Sequence, residues 1–337
     1  MHVVLSAAER DTFKRLLMTN ADNVLQSVLS VDARRAQVSK AEDRDYILSR
    51  VAEVGGLEGI TSAMRGAMRA WCLQAAVAAV VEEERQHAGG HLLVRFNAAV
   101  FLFQAGAFEL AEPLLRRELN DCTAAHGDLH ERTLGALGQL ASTINMQGRH
   151  AEAEPLLRQA LERYTEVLGE EHACTLAALG NLASCLTNQG KLAEAELLER
   201  RALQLKEKVF GPTHPETSAA ASNLANTLCN QGKDMEALPL YRRAVHDWTA
   251  SLGAEHPNTI GATKSLGYTL LDLGGDHVEE GVSTLHTALK GAVAYHGASS
   301  QFVKEIAGVL CGALRGLGRE DEAARVEADL ARMARVR

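Results

Sequence analysis

The stretch NLASCLTNQGKLAEAELLERRAL, residues 181–203, decides the fold. Apolar residues recur at three- and four-residue steps on both sides of Gln189-Gly190, the spacing of one helix face. Leu176, Leu179, Leu182, Ala183 and Leu186 mark the first helix; Leu192, Ala195, Leu198, Ala202, Leu203 and Leu205 mark the second. A residue just past a helix end often needs a left-handed backbone, which costs a residue with a side chain roughly 1–2 kcal/mol, so glycine is favoured there. The stretch therefore reads as helix, stop, helix.

Outward from this stretch, the same stop recurs. Gly106, Gly148, Gly190, Gly232 and Gly274 fall at intervals of 42 residues, and Gly318 follows 44 later. Three other columns keep the beat: His130, His172, His214 and His256; Thr133, Thr175, Thr217 and Thr259; Gln147, Gln189 and Gln231. A period of this size means a solenoid of repeated two-helix units. His214-Pro215 and His256-Pro257 set proline at the first helical position, whose N–H lacks an intrahelical partner anyway. Ala183, Ala195 and Ala202 recur as Ala141, Ala153 and Ala160 and as Ala225, Ala237 and Ala244, small residues that let helices approach closely.

Asn181-Leu182-Ala183, Gln189-Gly190-Lys191, Glu194-Ala195-Glu196 and Arg201-Ala202-Leu203, with His-Pro-x-Thr opening a copy, resemble the 42-residue tetratricopeptide repeat (TPR) of kinesin light chains and related adaptors. The resemblance covers roughly residues 91–333. It implies an all-α fold, a right-handed α-solenoid of about six TPR helix pairs, acting as a non-catalytic scaffold or adaptor that holds an extended peptide segment of a partner. The partner it implies is a protein or peptide, a kinesin heavy chain or a cargo protein among them. In such repeats the concave face is lined mainly by the first helix of each pair. Carried over residue by residue, that face holds Asn97, Gln139, Asn181 and Asn223 in one column. Asn145, Asn188, Asn226 and Asn230 fall nearby by the three- and four-residue rule.

A carboxamide offers both donors and an acceptor, so it can pair with a ligand's backbone amide without reading its side chain. Each such bond contributes only about 0.5–1.5 kcal/mol net, so several must act together. Gly138, Gly180, Ser142, Ser184 and Ser222 lie between the amides and would leave room for ligand side chains. The alternative for some amides is a bridge between adjacent helices. Repeats that grip a terminal carboxylate use lysine or arginine on the first helices; here those positions are mostly glycine, alanine or serine, with Lys264 the lone candidate cation.

Copies are expected to start near residues 91, 127, 169, 211, 253 and 297, giving a solenoid over 91–333. Its end copies drift, as expected where one face has no neighbour: Glu118 stands where alanine is usual, and two residues are inserted around Gly275 to Val278. Residues 1–88 lie outside the repeat and read as an N-terminal helical cap. Ser6-Ala-Ala-Glu9 and Ser39-Lys-Ala-Glu42 are capping-box patterns, and Gly89-Gly90 marks the boundary. Kinesin light chains join their heavy chain through a heptad coiled coil, whereas here the apolar register lapses at the glycines and at Asp43 to Asp45.

A formal net charge of -8 without a long basic stretch argues against nucleic acid as the main partner. No apolar run approaches the roughly 20 residues that span a bilayer, and Met1 to Arg10 has no signal-peptide core, so a soluble, cytoplasmic protein without membrane insertion is expected. The six cysteines form no Cys-x-x-Cys pair and read as reduced fillers. The periodic histidines sit one repeat apart, roughly 10 Å by helix packing, far beyond the distance of about 2 Å at which nitrogen binds zinc. No His-Glu-x-x-His, nucleophile elbow or phosphate loop occurs. No catalytic residue, metal or cofactor is expected. Arg116, Arg158 and Arg200 follow Glu112, Glu154 and Glu196 by four residues, and with Arg242 they read as a solvated salt-bridge ladder rather than a basic groove. The alternative function is a self-associating regulatory or sensor TPR module of a signalling complex.

Overall fold

A computed structural model describes residues 72–81, Arg85 and 93–336. The cap patterns at Ser6–Glu9 and Ser39–Glu42, the lapsed heptads and the Gly89-Gly90 boundary lie outside the described residues. After a helical segment at 72–81 come α1 (Leu93–Gln104), α2 (Phe108–His126), α3 (Glu131–Met146), α4 (His150–Leu168), α5 (Ala173–Asn188) and α6 (Leu192–Phe210). They are followed by α7 (Pro215–Asn230), α8 (Asp234–Leu252), α9 (Pro257–Leu273), α10 (Val278–His296), α11 (Gln301–Gly316) and α12 (Glu320–Val336). No strand occurs among the described residues. The fold is the all-α solenoid type that the 42-residue beat requires.

The chain divides into two compact units, one ending at Arg163 and one spanning Tyr164–Val336. In the first, α1 packs on α2 and α2 on α3. In the second, each helix from α5 to α12 packs on its neighbours in sequence, and α7 also touches α5 and α9. Such nearest-neighbour packing defines a solenoid.

Each periodic residue has a local task. His130, His172, His214 and His256 are helix N-caps: each ring Nδ1 accepts from the backbone N–H two residues on, at 3.1–3.2 Å. The cap satisfies one of the donors that a helix start leaves over. Thr133, Thr175 and Thr217 donate to the carbonyls of Gly127, Gly169 and Gly211 at 2.7–2.8 Å, tying the loop to the helix it precedes. Thr259 is buried, and its hydroxyl makes no such bond.

At the other end of the first helix the stop is a Schellman turn. Lys191 N donates to Leu186 O at 2.9 Å and Gly190 N to Thr187 O at 3.0 Å, with Gly190 at φ 77°. The same turn closes α7, where Lys233 N donates to Leu228 O at 2.9 Å. A second glycine column, Gly127, Gly169, Gly211, Gly253 and Gly297, ends the second helices with φ of 80–91°. The two-residue insertion falls in a 3-10 turn at Gly275–His277, which accounts for the 44-residue step.

Small residues do pack the helices closely. Ala141, Ala183 and Ala225 are fully buried, and Gly267 takes their place in α9. A Cβ at Gly267 would lie 2.6 Å from Leu285 Cδ2 and 2.7 Å from Leu285 Cγ, and Leu285 is itself fully buried. Gly267→Ala restores the repeat's usual residue and is expected nevertheless to destabilise by about 1–3 kcal/mol through overpacking, outweighing the roughly 1 kcal/mol that alanine gains over glycine in a helix. Urea unfolding measures the sign; a stabilised variant would mean that Leu285 yields.

Candidate functional site

The second unit carries a recess of about 400 Å³. Ser184, Thr187 and Asn188 of α5, Asn223, Asn226, Thr227 and Asn230 of α7, and Tyr268, Thr269 and Asp272 of α9 line it. Three successive first helices thus supply most of its wall, because residues three and four apart on a helix share a face. Glu199 of α6 and Tyr241 of α8 close it from behind.

Four of the eight candidate amides meet here: Asn188, Asn223, Asn226 and Asn230, all exposed. Asn181 lies on α5 and is half-buried, outside the recess lining. Asn97, Gln139 and Asn145 belong to the first unit and are half-buried there. Some amides do hold helices in place. Asn145 Oδ1 pairs with His150 Nδ1 at 2.8 Å, and Asn226 Oδ1 accepts from the Tyr241 hydroxyl at 2.5 Å. The Gln139 Nε2 is buried without a hydrogen-bond partner. Of the small residues between the amides, Ser184 lines the recess, and a Cβ on Gly180 would meet open space.

Lys264 is engaged. Its ammonium sits 3.2 Å from Glu305 Oε1 and 4.8 Å from the Phe302 ring centroid, a combined ion-pair and cation–π setting. The arginine column is the ladder expected on the second helices, and it also ties repeats together. Arg200 pairs with Glu196 at 2.8 Å in its own helix and with Glu236 of the next repeat at 3.1 Å; Lys233 returns to Glu196 at 2.8 Å, and Arg242 reaches Glu280 at 2.7 Å. In the first unit Arg116 bridges Glu112 and Glu152, and Arg149 returns to Glu112. Half-exposed pairs of this kind are worth little singly, but within each unit they link one repeat to the next.

Glu199 is the feature that the first-helix column did not reveal. Its side chain is 4% exposed, and its Oε2 has no hydrogen-bond partner. Burial pushes its carboxyl up to about 7, against a hydrogen bond with Thr227 that holds it down and the nearby Glu196 charge that adds to the rise. The signal lay in another column: Leu115, Leu157, Tyr241 and Leu285 occupy the equivalent place in the other repeats, and all are buried. A lone carboxylate in an apolar column is unexpected unless it serves something.

Among the described residues no cluster of three or more histidine, cysteine, aspartate or glutamate side chains could hold a metal ion. No described helix is long and apolar enough to cross a membrane. The cysteines are free, four of them buried, with Cys174 exposed and Cys229 half-buried. Burial pushes the thiols of Cys72 and Cys122 up to about 11.

An all-helical stack of paired helices with a polar recess on its first helices defines an α-helical repeat scaffold, a class that works by binding other proteins. Residues 132–208, 180–245 and 216–279 match the family model of the tetratricopeptide repeat, so the run 132–279 is made of tetratricopeptide repeats. No curated protein matches the chain in sequence. Among solved structures, the chain is similar to nearly identical TPR-like repeats of a putative kinesin light chain of Podosopora anserina, at 23% identity, 59% of this chain, 93% of that one and a TM-score of 0.51. A Rap protein complexed with competence and sporulation factor is 13% identical over 97% of each chain, with a TM-score of 0.51. A signal transduction ATPase with numerous domains from Pyrococcus horikoshii, which has a tetratricopeptide repeat sensor, is 13% identical over 98% of this chain and 47% of its own, with a TM-score of 0.58. The repeats thus resemble those of kinesin light chains, and the other two likenesses extend the shared fold.

Proposed function

We propose that the chain is a non-catalytic, cytoplasmic adaptor that binds an extended segment of a partner protein along its first helices. The observation that carries this reading is the convergence of Asn188, Asn223, Asn226 and Asn230 on one recess. Amides at the pitch of a helical repeat suit a backbone whose own hydrogen bonds are unmade, because each can both donate and accept. In this reading Asn181 belongs to the same helix face of the second unit, and Asn97, Gln139 and Asn145 are the corresponding amides of the first unit. Likeness to kinesin light chain repeats supports a cargo protein or a kinesin heavy chain as partner, and co-purification tests that choice directly.

The test compares pull-downs by the wild type, by Asn181→Ala with Asn223→Ala, and by Arg116→Ala with Arg200→Ala. Loss of two amide contacts is expected to weaken capture by about tenfold or more, while the ladder variant keeps it. Equal recovery by all three would place the partner elsewhere. The second reading, a self-associating regulatory or sensor module, draws on an apolar-floored recess of about 380 Å³ between α10 and α12, lined by Leu289, Val293, Val326, Leu330 and Met333. A mass in light scattering that rises with concentration would favour it.

A further inference from the structure

We infer that the recess of the second unit receives a cationic side chain, a lysine or arginine, carried by the segment bound along the first helices. The inference rests on the adaptor reading above and adds to it the chemistry of the ligand. The recess has two carboxylates, Glu199 and Asp272, and no lysine, arginine or histidine in its lining. Glu199 is buried, faces the recess and keeps an oxygen without a partner. An anion so placed is costly until a donor reaches it. An ammonium or guanidinium supplies that donor, and a hydrogen bond between ions is roughly twice as strong as a neutral one.

The surroundings select for the same charge. Asp272 is exposed on α9 and adds attraction at the mouth. Asn223 and Asn230 offer neutral carbonyl oxygens around an entering cation. Tyr241 and Tyr268 bring aromatic rings into the lining, against which a cation is more stable than an anion. An acidic side chain would bring like charge beside Glu199. The cations next to the lining in sequence are engaged elsewhere: Arg200 with Glu196 and Glu236, Arg242 with Glu280 and Lys264 with Glu305.

The experiment uses fluorescein-labelled nonapeptide libraries, randomised except for a central arginine, its neutral isostere citrulline, or glutamate. The full chain is expected to retain the arginine library about tenfold better than the citrulline library, and the glutamate library least. Glu199→Gln, an isosteric change, is expected to bring arginine and citrulline to equal retention. Asp272→Asn, on the exposed side, is expected to reduce the preference in part. Thermal unfolding by circular dichroism checks that both variants fold. Equal retention of arginine and citrulline by the wild type overturns the inference but leaves the adaptor reading standing, as does a preference that survives in a folded Glu199→Gln. Retention of no library at all overturns the adaptor reading and the inference with it.

Discussion

Near pH 8 the Glu199→Gln variant is expected to be more stable than the wild type by up to about 3 kcal/mol, and near pH 4 the advantage is expected to vanish. The carboxyl of Glu199 titrates at about 7 in the folded chain against an ordinary value of 4.5, with burial the main cause. A group whose folded pKa is raised favours folding fully below its unfolded pKa, and that contribution is lost as pH rises through the folded value. The wild type should therefore weaken between about pH 4.5 and 7, while the neutral glutamine feels no such loss. Urea unfolding of both proteins across this range reads the difference directly. A constant gap would mean that Glu199 is no more buried than an ordinary surface glutamate. The same comparison bears on function, because a residue that weakens the free protein and sits in a recess is the pattern of a site held ready for a ligand.

Glu118→Ala is expected to cost about 3 kcal/mol or more, although alanine is what the other repeats carry at this place: Ala160, Ala202, Ala244 and Ala288. Glu118 is 2% exposed and Arg95 5%. The Arg95 guanidinium lies 3.6 Å from Glu118 and 2.5 Å from Asp121. Arg132 reaches Glu118 at 3.2 Å, and the Cys122 thiol donates to it at 3.3 Å. Removing the carboxylate leaves a buried guanidinium with only Asp121 of these two acidic partners. The same substitution made with Arg95→Leu should recover much of the loss. That double variant recreates Leu137 with Ala160 and Leu179 with Ala202, and apolar replacement of a buried pair is often neutral or better. A double-mutant cycle by urea unfolding measures the coupling. Additive losses would mean that the two charges do not depend on each other.

The helix pairs were legible in the sequence because their signals are local. A histidine cap, a glycine past the helix end and an apolar stripe each act within a few residues, so the 42-residue beat carries them intact. Glu118 was legible as a departure from the repeat, yet its reason was not, since Arg95 lies 23 positions earlier and meets it only once α1 and α2 pack. The ion pairs between repeats were hidden for the same reason: Arg200 and Glu236 are 36 residues apart. At the candidate site, the first-helix column brought Asn188, Asn223, Asn226 and Asn230 into view, but looking only at first helices passed over Glu199 and Tyr241 on the second helices. Reading every column for its odd member, rather than for its consensus, would have found the carboxylate.

Packing that reaches no further than the adjacent repeat in the second unit makes repeat number an adjustable quantity. A helix pair inserted or deleted in the second unit would find the same caps and the same small-residue seams on either side, so natural variation in length need not disturb what lies further along. The recess draws on three consecutive first helices, which sets the shortest stretch that can hold it. Variants trimmed from the carboxyl end should lose α12 and α11 before they lose any of its walls.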